Sequence, residues 1–154
     1  GVVVLSGDKS SREIAVPLGK VGKIDRSDHL WIRSPAKRRL ATGIVKDGHI
    51  YGVQTGGIAD CVNLRTGELV WQERLSGGSP NNAVWGSPVM VEDRIYIVNQ
   101  SGDVFIYQAT PEEYDLLVSI SMKERTNSSI AVSNGLLFIR TLEALWAIGS
   151  SGPR

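Results

Sequence analysis

The chain has 154 residues, of which 42% are hydrophobic and 21% charged, and its formal net charge is +1 at pH 7. These values predict one globular domain of ordinary size, and they argue against a nucleic-acid binder, which needs a concentrated basic surface. A single cysteine excludes an internal disulfide and a thiolate zinc cluster. No apolar run approaches the ~18 residues that a membrane-spanning helix requires.

Polar turns and alternating apolar runs predict β-strands along the chain. In chain order the predicted strands cover residues 2–5, 13–16 and 29–33, then 41–46, 50–55, 58–64 and 69–75, then a third set that ends with 114–120, and last a set within 129–149. Asp47-Gly48 is a strong hairpin signal, because a type I′ turn needs left-handed backbone at both central residues. No window sustains a 3.6-residue period beyond about two turns. The sequence therefore predicts an all-β chain.

Two landmarks recur along the chain at matching spacings. The turns Asp47-Gly48, Glu92-Asp93 and Asn134-Gly135 precede β-prone residues at Ile50, Ile95 and Leu137, which are 45 and 42 residues apart. The triplets that begin at Cys61, Ile106 and Ala147 recur with spacings of 45 and 41 residues. Units of about 40–45 residues with four short strands each are typical of β-propeller blades.

Three stretches carry a resemblance to a known family. Residues 58–71 (IADCVNLRTGELVW) resemble the repeat of quinoprotein-type β-propellers, and Gly86-Ser87-Pro88-Val89 resembles the start of a blade in that family. Residues 19–25 with 28–31 resemble an elaborated blade of its secreted bacterial members. The resemblance spans roughly residues 2–149 and implies four-stranded antiparallel blades like those of quinoprotein alcohol dehydrogenases. It implies little about activity, because this repeat serves dehydrogenases and assembly lipoproteins alike.

The units do not add up to a complete ring. We expect a single domain over residues 1–154, with a partial blade at about 1–36, full blades at 37–80 and 81–123, a partial blade at 124–149 and a tail at 150–154. Propellers close with about four to eight blades. The expected partners are therefore the remaining blades of a longer chain, which we favour because the resembled proteins are longer, or a second copy in a homodimer.

The resemblance also raises the question of a cofactor. Dehydrogenases of the family bind pyrroloquinoline quinone and calcium on the propeller axis, with a stacking tryptophan, acidic and amide ligands and often a cysteine pair. Here Cys61 stands alone and is interpreted as a buried apolar thiol, and Asp25, Ser27 and Asp28 are interpreted as a polar turn. We predict no catalytic residue, metal site or cofactor. The alternative is the C-terminal part of a quinone-dependent dehydrogenase whose catalytic residues are mostly absent from this chain.

Four tryptophans are candidates for packing between blades. Trp31 and Trp71 end fourth strands, 40 residues apart, and Trp146 lies in a third strand. All three are predicted to pack between neighbouring blades. Trp85 stands in a connection between blades, where it either packs in the same way or remains exposed and stacks on a sugar or another ring.

One end of the predicted blades is basic and rich in amides, whereas the turns at the other end carry most of the acidic residues. The candidate ligand-binding residues at the basic end are Lys37, Arg38, Arg39, Asn82, Trp85, Arg125, Asn127 and Arg140. Such loops are either ordinary polar surface or a site for an anionic or hydroxyl-rich ligand, since several cations on one rim reinforce the local potential.

These observations favour a non-catalytic binding or scaffold module whose ligand is a protein, an anion or a saccharide. The resemblance alone implies a periplasmic or secreted location in a bacterium. A third possibility is a structural assembly subunit that associates through exposed strand edges, with no small-molecule ligand.

Overall fold

The computed structural model describes residues 1–6, 12–34, 39–76 and 83–149. In these ranges the chain forms fourteen β-strands and one short 3₁₀ turn, Arg26–Asp28. Sheet 1 contains β1 (Val2–Ser6), β2 (Glu13–Pro17) and β3 (Trp31–Arg33). Sheet 2 contains β4 (Ile44–Lys46), β5 (His49–Gln54), β6 (Ile58–Asn63) and β7 (Leu69–Arg74). Sheet 3 contains β8 (Val89–Val91), β9 (Arg94–Val98), β10 (Asp103–Gln108) and β11 (Leu116–Ser121), and sheet 4 contains β12 (Ala131–Ser133), β13 (Leu136–Arg140) and β14 (Leu145–Ile148).

Each sheet is an antiparallel meander in which every strand pairs with its neighbours in sequence. The described sheets have three, four, four and three strands in chain order, as the strand pattern predicted, and they form an open series rather than a closed ring. The predicted all-β class is therefore confirmed.

Tight turns set the register of these meanders. Asp47 and Gly48 have φ values of 46° and 75°, which is the predicted left-handed backbone, and Asn134 and Gly135 adopt the same conformation with 50° and 75°. Because side chains alternate between the two faces of a strand, a fixed register decides which residues face the preceding sheet and which face the following one.

Three separate cores lie between successive sheets. Ala15, Trp31, Ile50 and Val62 pack between sheets 1 and 2. Tyr51, Val53, Ala59, Cys61, Ile95, Ile97, Phe105 and Tyr107 pack between sheets 2 and 3. Val98, Val104, Ile130 and Ile139 pack between sheets 3 and 4. Sheet 2 thus contributes even-numbered residues of β5 and β6 to one core and odd-numbered residues to the next, which is the alternation of a strand buried on both faces.

Two of the tryptophans join neighbouring sheets as predicted. The indole Nε1–H of Trp31 donates to the carbonyl oxygen of Leu64 at 3.0 Å, and its ring lies against Gly67, where any Cβ would overlap it. Trp71 donates to the carbonyl oxygen of Thr110 at 3.0 Å. Both side chains therefore reach from a last strand of one sheet to the β-turn region of the next.

The other two tryptophans are more exposed. Trp146 is 40% exposed and donates its Nε1–H to Glu124 Oε2 at 3.4 Å, so it is less buried than the predicted packing between blades implies. The reason is its position on β14, the outermost strand of sheet 4 in the described part of the chain. Trp85 is 46% exposed in the connection before β8.

Candidate functional site

Connections from sheets 2, 3 and 4 meet at one end of the molecule and form its loop face, defined here by residues 83–88, 99–102, 122–130 and 141–144. Backbone hydrogen bonds join them: Gln100 N–H donates to the Ala83 oxygen at 2.7 Å, Thr126 N–H to the Gln100 oxygen at 3.1 Å, and Leu142 N–H to the Arg125 oxygen at 2.9 Å. Because each loop is tied to the next, the side chains on this face are held by a connected backbone.

A cavity of about 350 Å³ opens on the loop face. It is lined by Thr126, Asn127, Ser128, Arg140, Thr141 and Leu142. The hydroxyl groups of Thr126 and Ser128 both donate to the Arg140 carbonyl oxygen, at 2.6 and 2.9 Å. The Asn127 side-chain oxygen accepts from Gln100 Nε2 at 3.1 Å. These bonds fix the backbone that carries Asn127 and Arg140.

The charge of this site is positive. Arg125 and Arg140 are exposed, and neither forms an ion pair with any residue that the structure describes. Two acids lie in the same connections: Glu124, which accepts a hydrogen bond from the Thr141 hydroxyl at 2.6 Å, and the exposed Glu143. Two guanidinium groups at one rim therefore face water with their donors available.

The structure brings several predicted site residues onto this face. Asn127 and Arg140 line one cavity, and Arg125 is two residues from Asn127 in the same connection. Trp85 lies on the adjacent connection, which is held to the same segment because Ser87 N–H donates to Ser129 Oγ at 2.9 Å. Lys37, Arg38 and Asn82 lie outside the described residues.

The prediction that Arg39 is a ligand-binding residue of the basic end is wrong. Arg39 is 3% exposed and does not belong to that face. Its guanidinium pairs with Glu13 Oε1 at 3.0 Å and with Asp60 Oδ1. It lies on Gly52, where any Cβ would overlap the guanidinium. Its charge is therefore neutralised inside the interface between sheets 1 and 2.

Arg39 is part of a buried ionic cluster that the sequence analysis missed. Arg33 places its guanidinium nitrogens 3.3 Å from Glu13 and 3.5 Å from Asp60, and Gln54 Nε2 donates to Asp60 at 3.1 Å. Burial raises the pKa of Glu13 above its ordinary value, against the opposing effect of both arginines. The available signal was an aspartate at the centre of an apolar strand, opposite a glycine in β5.

The cysteine and the acidic turn behave as the sequence predicted. Cys61 is buried, and burial raises the pKa of its thiol to about 11, so it is a poor nucleophile at neutral pH. In the turn before β3, Asp28 accepts from Asp25 N–H at 2.8 Å and pairs with Lys20, which lowers the pKa of Asp28. Both features are structural in the described chain.

The residues that the structure describes do not supply the donor set for a quinone cofactor with calcium. Among the described residues no group of three or more histidine, cysteine, aspartate or glutamate side chains could hold a metal ion. The one cysteine has no adjacent partner and is buried in the core between sheets 2 and 3.

The architecture identifies the class of protein. Successive four-stranded antiparallel meanders, packed face to face and joined by tryptophans, are the blades of a β-propeller. The family model described as outer membrane protein assembly factor BamB matches residues 2–151, and the chain belongs to this family. The expected quinoprotein-like repeat family is thereby confirmed.

Solved structures with the same fold include BamB from Moraxella catarrhalis, which is 13% identical with a TM-score of 0.70 over 95% of this chain and 40% of that one. The computationally designed Ika4 protein is 10% identical, with a TM-score of 0.68 over 96% of this chain and 86% of that one. Quinohemoprotein alcohol dehydrogenase from Comamonas testosteroni is 15% identical, with a TM-score of 0.54 over 67% and 17%. At such identities these matches show the fold alone.

The chain thus spans 40% of the BamB structure that it matches. No curated protein matches it by sequence. Among the described residues there is no helix of the length and apolar character needed to cross a membrane.

Proposed function

We propose that the chain is part of a non-catalytic propeller scaffold that binds a partner through its loop face. The observation that carries this proposal is the pair of unneutralised arginines, Arg125 and Arg140, beside the cavity that Asn127 lines. The family description supports an assembly role rather than a catalytic one. The remaining blades, supplied by a longer chain or by a second copy, would complete the ring.

The chemistry of the loop face favours an anionic or hydroxyl-rich ligand. Guanidinium groups offer several donors in a planar fork that matches carboxylates and phosphates. The Asn127 amide adds polar recognition, and the half-exposed Trp85 ring offers a stacking surface next to it. An acidic segment of a partner protein satisfies the guanidinium and amide groups, and a saccharide satisfies the amide and the aromatic ring.

The family description supports a location. It names the outer membrane, so we infer that the chain works on the periplasmic side of that membrane or is secreted. A fluorescent or epitope-tagged copy of the complete protein, followed through cell fractionation, tests this inference directly.

The second candidate function is part of a quinone-dependent dehydrogenase, which only the fold likeness to the alcohol dehydrogenase favours. Its catalytic groups would have to lie outside the residues described here. Titration with pyrroloquinoline quinone and calcium separates the two candidates, because a quinoprotein gains the absorption of the bound quinone and a scaffold does not.

The direct test of the loop face is the affinity of an octaglutamate peptide and of maltoheptaose for the chain, measured by calorimetry. We expect the Arg125→Ala/Arg140→Ala variant to bind the peptide at least tenfold more weakly, with a smaller salt dependence, because two charge-assisted contacts are lost. Arg65→Ala, an exposed arginine in the β6–β7 turn at the opposite end, is the matched control. Equal affinity of the double variant and wild type for both probes would reject the loop face as the binding surface.

A further inference from the structure

Three sheets contain equivalent cross-strand rows that end on their last strand. In sheet 1 the row is Val4, Ala15 and Trp31. In sheet 2 it is Ile44, Tyr51, Cys61 and Trp71. In sheet 3 it is Val89, Tyr96, Ile106 and Val118. The first two rows end in tryptophan, whereas the third ends in valine.

The tryptophan of each row packs on a row of the next sheet. Trp71 lies against the core that contains Met90, Ile95 and Tyr107, which form one cross-strand row of sheet 3. Its ring centre is 6.4 Å from that of Tyr107 and 6.2 Å from that of Tyr51 in its own sheet. The indole therefore fills the space between the two rows and donates its N–H to a carbonyl oxygen of the next sheet.

The corresponding space between sheets 3 and 4 is a cavity of about 550 Å³. Its floor contains Val132, Leu137 and Ile148, which form the row of sheet 4 equivalent to Met90, Ile95 and Tyr107. Tyr96, the counterpart of Tyr51, lines the opposite side. Val118, at the tryptophan position, is 38% exposed and does not line the cavity.

A second difference between sheets 2 and 3 enlarges this space. Lys46 in sheet 2 extends to the Ala109 carbonyl oxygen at 3.3 Å and to Asp93 at 3.0 Å, and so covers the rim of the interface between sheets 2 and 3. Its counterpart in sheet 3, one residue before the β8–β9 turn, is the shorter Val91, which lines the cavity. The cavity thus results from two shortened side chains in sheet 3.

We propose that this cavity binds the indole side chain of a tryptophan that a partner polypeptide supplies. The occupant is inferred from the molecule itself, because the same pair of rows encloses an indole at both other interfaces. The floor is aliphatic, and the Tyr96 ring provides an aromatic face. Arg94 also lines the cavity, and its guanidinium can form a cation–π contact with the bound indole. Glu92 is the one carboxylate among the lining residues, and it can accept a hydrogen bond from the indole N–H.

This site is independent of the loop face. It lies at the end of the blades that carries the β8–β9 and β12–β13 turns, opposite the end where Arg125 and Arg140 lie. Loss of binding at one site therefore leaves the other unaffected.

The test uses N-acetyl-tryptophanamide as the probe, titrated into the isotope-labelled chain and followed by NMR. We expect saturable shifts at Tyr96, Leu137 and Ile148 in the wild type. Val118→Trp places the chain's own indole in the cavity and should weaken probe binding at least tenfold. Ser119→Trp is the matched control, since Ser119 pairs with Phe105 on the other face of sheet 3 and leaves the cavity open.

A second filling variant keeps the test valid if Val118→Trp does not fold. Val132→Phe adds a ring from the cavity floor on β12, and it should weaken the probe to a similar degree. The proposal is overturned if the wild type shows no saturable shifts at the lining residues. It is also overturned if the probe binds equally well to wild type and to the folded filling variants.

Discussion

Two interfaces of the same geometry bury different kinds of side chain. The interface between sheets 1 and 2 buries charged groups, and the interface between sheets 2 and 3 buries aromatic rings. The first, the ionic interface, buries Glu13, Arg39 and Asp60 beside its apolar core. The second, the aromatic interface, buries Tyr51 and Tyr107 around the ring of Trp71. One repeat geometry therefore accepts either buried charges or buried rings between neighbouring sheets.

A single substitution should destabilise the two interfaces by different amounts. A buried charge whose partner is removed keeps its full desolvation penalty, whereas a truncated aromatic residue loses contacts that neighbouring side chains partly replace. The ionic interface also depends on Gly52, which leaves the space that the Arg39 guanidinium occupies. We therefore expect the ionic interface to be the more sensitive of the two to single substitutions.

The largest expected effect comes from Asp60→Ala in the ionic interface. Its removal leaves Arg39 and Arg33 without one of their two carboxylates, and the free energy of unfolding should fall by about 3–5 kcal/mol. Urea denaturation measures the change, with Asp115→Ala at an exposed position as the control. A loss below about 1 kcal/mol would show that the cluster is solvated and that the contrast between the interfaces is wrong.

Trp71→Ala in the aromatic interface should cost about 3 kcal/mol, the lower end of the range for large aromatic truncations, because this ring is only partly buried. The loss includes the hydrogen bond to the Thr110 carbonyl oxygen. Trp85→Ala serves as the control, since the Trp85 ring is 46% exposed and its removal should change stability by less than about 0.5 kcal/mol. Equal losses for the two variants would remove Trp71 from its proposed packing role.

The aromatic interface should also weaken at alkaline pH. Burial raises the pKa of Cys61 from 9.0 to about 11 and that of Tyr114 from 10.0 to about 12, and it raises the pKa of Tyr51 and Tyr107 as well. The unfolded chain therefore releases these protons at lower pH than the folded chain does, so stability falls as pH rises above about 9.

The Cys61 shift alone should lower the free energy of unfolding by about 2 kcal/mol between pH 9 and 11. Urea denaturation across that range measures the decline, and Cys61→Ala should make it shallower. A variant that declines as steeply as wild type would assign the alkaline effect to other groups. This is the smallest of the three effects, and it concerns the aromatic interface, to which Cys61 belongs.

Much of the candidate site could be predicted from local sequence. Arg125 and Asn127 lie in a connection and Arg140 ends β13, positions that the strand order places at one end of the blades, so their common face follows from topology. Arg39 belongs to a connection by the same reasoning, yet the structure buries it, because its partners Glu13 and Asp60 are on different sheets. The repeat spacing does not indicate which charged residues of neighbouring sheets form ion pairs.

The sequence by itself determined the repeat, the strands and their turns, because these depend on local physics: side-chain alternation, left-handed residues at Asp47-Gly48, and a tryptophan at the end of a strand. Only the tertiary structure decided what faces each sheet. It neutralised Arg39, left Trp146 half exposed and opened the cavity behind Tyr96. Those outcomes depend on how side chains more than 20 residues apart fit together across two sheets, and no pattern within one blade contains that information.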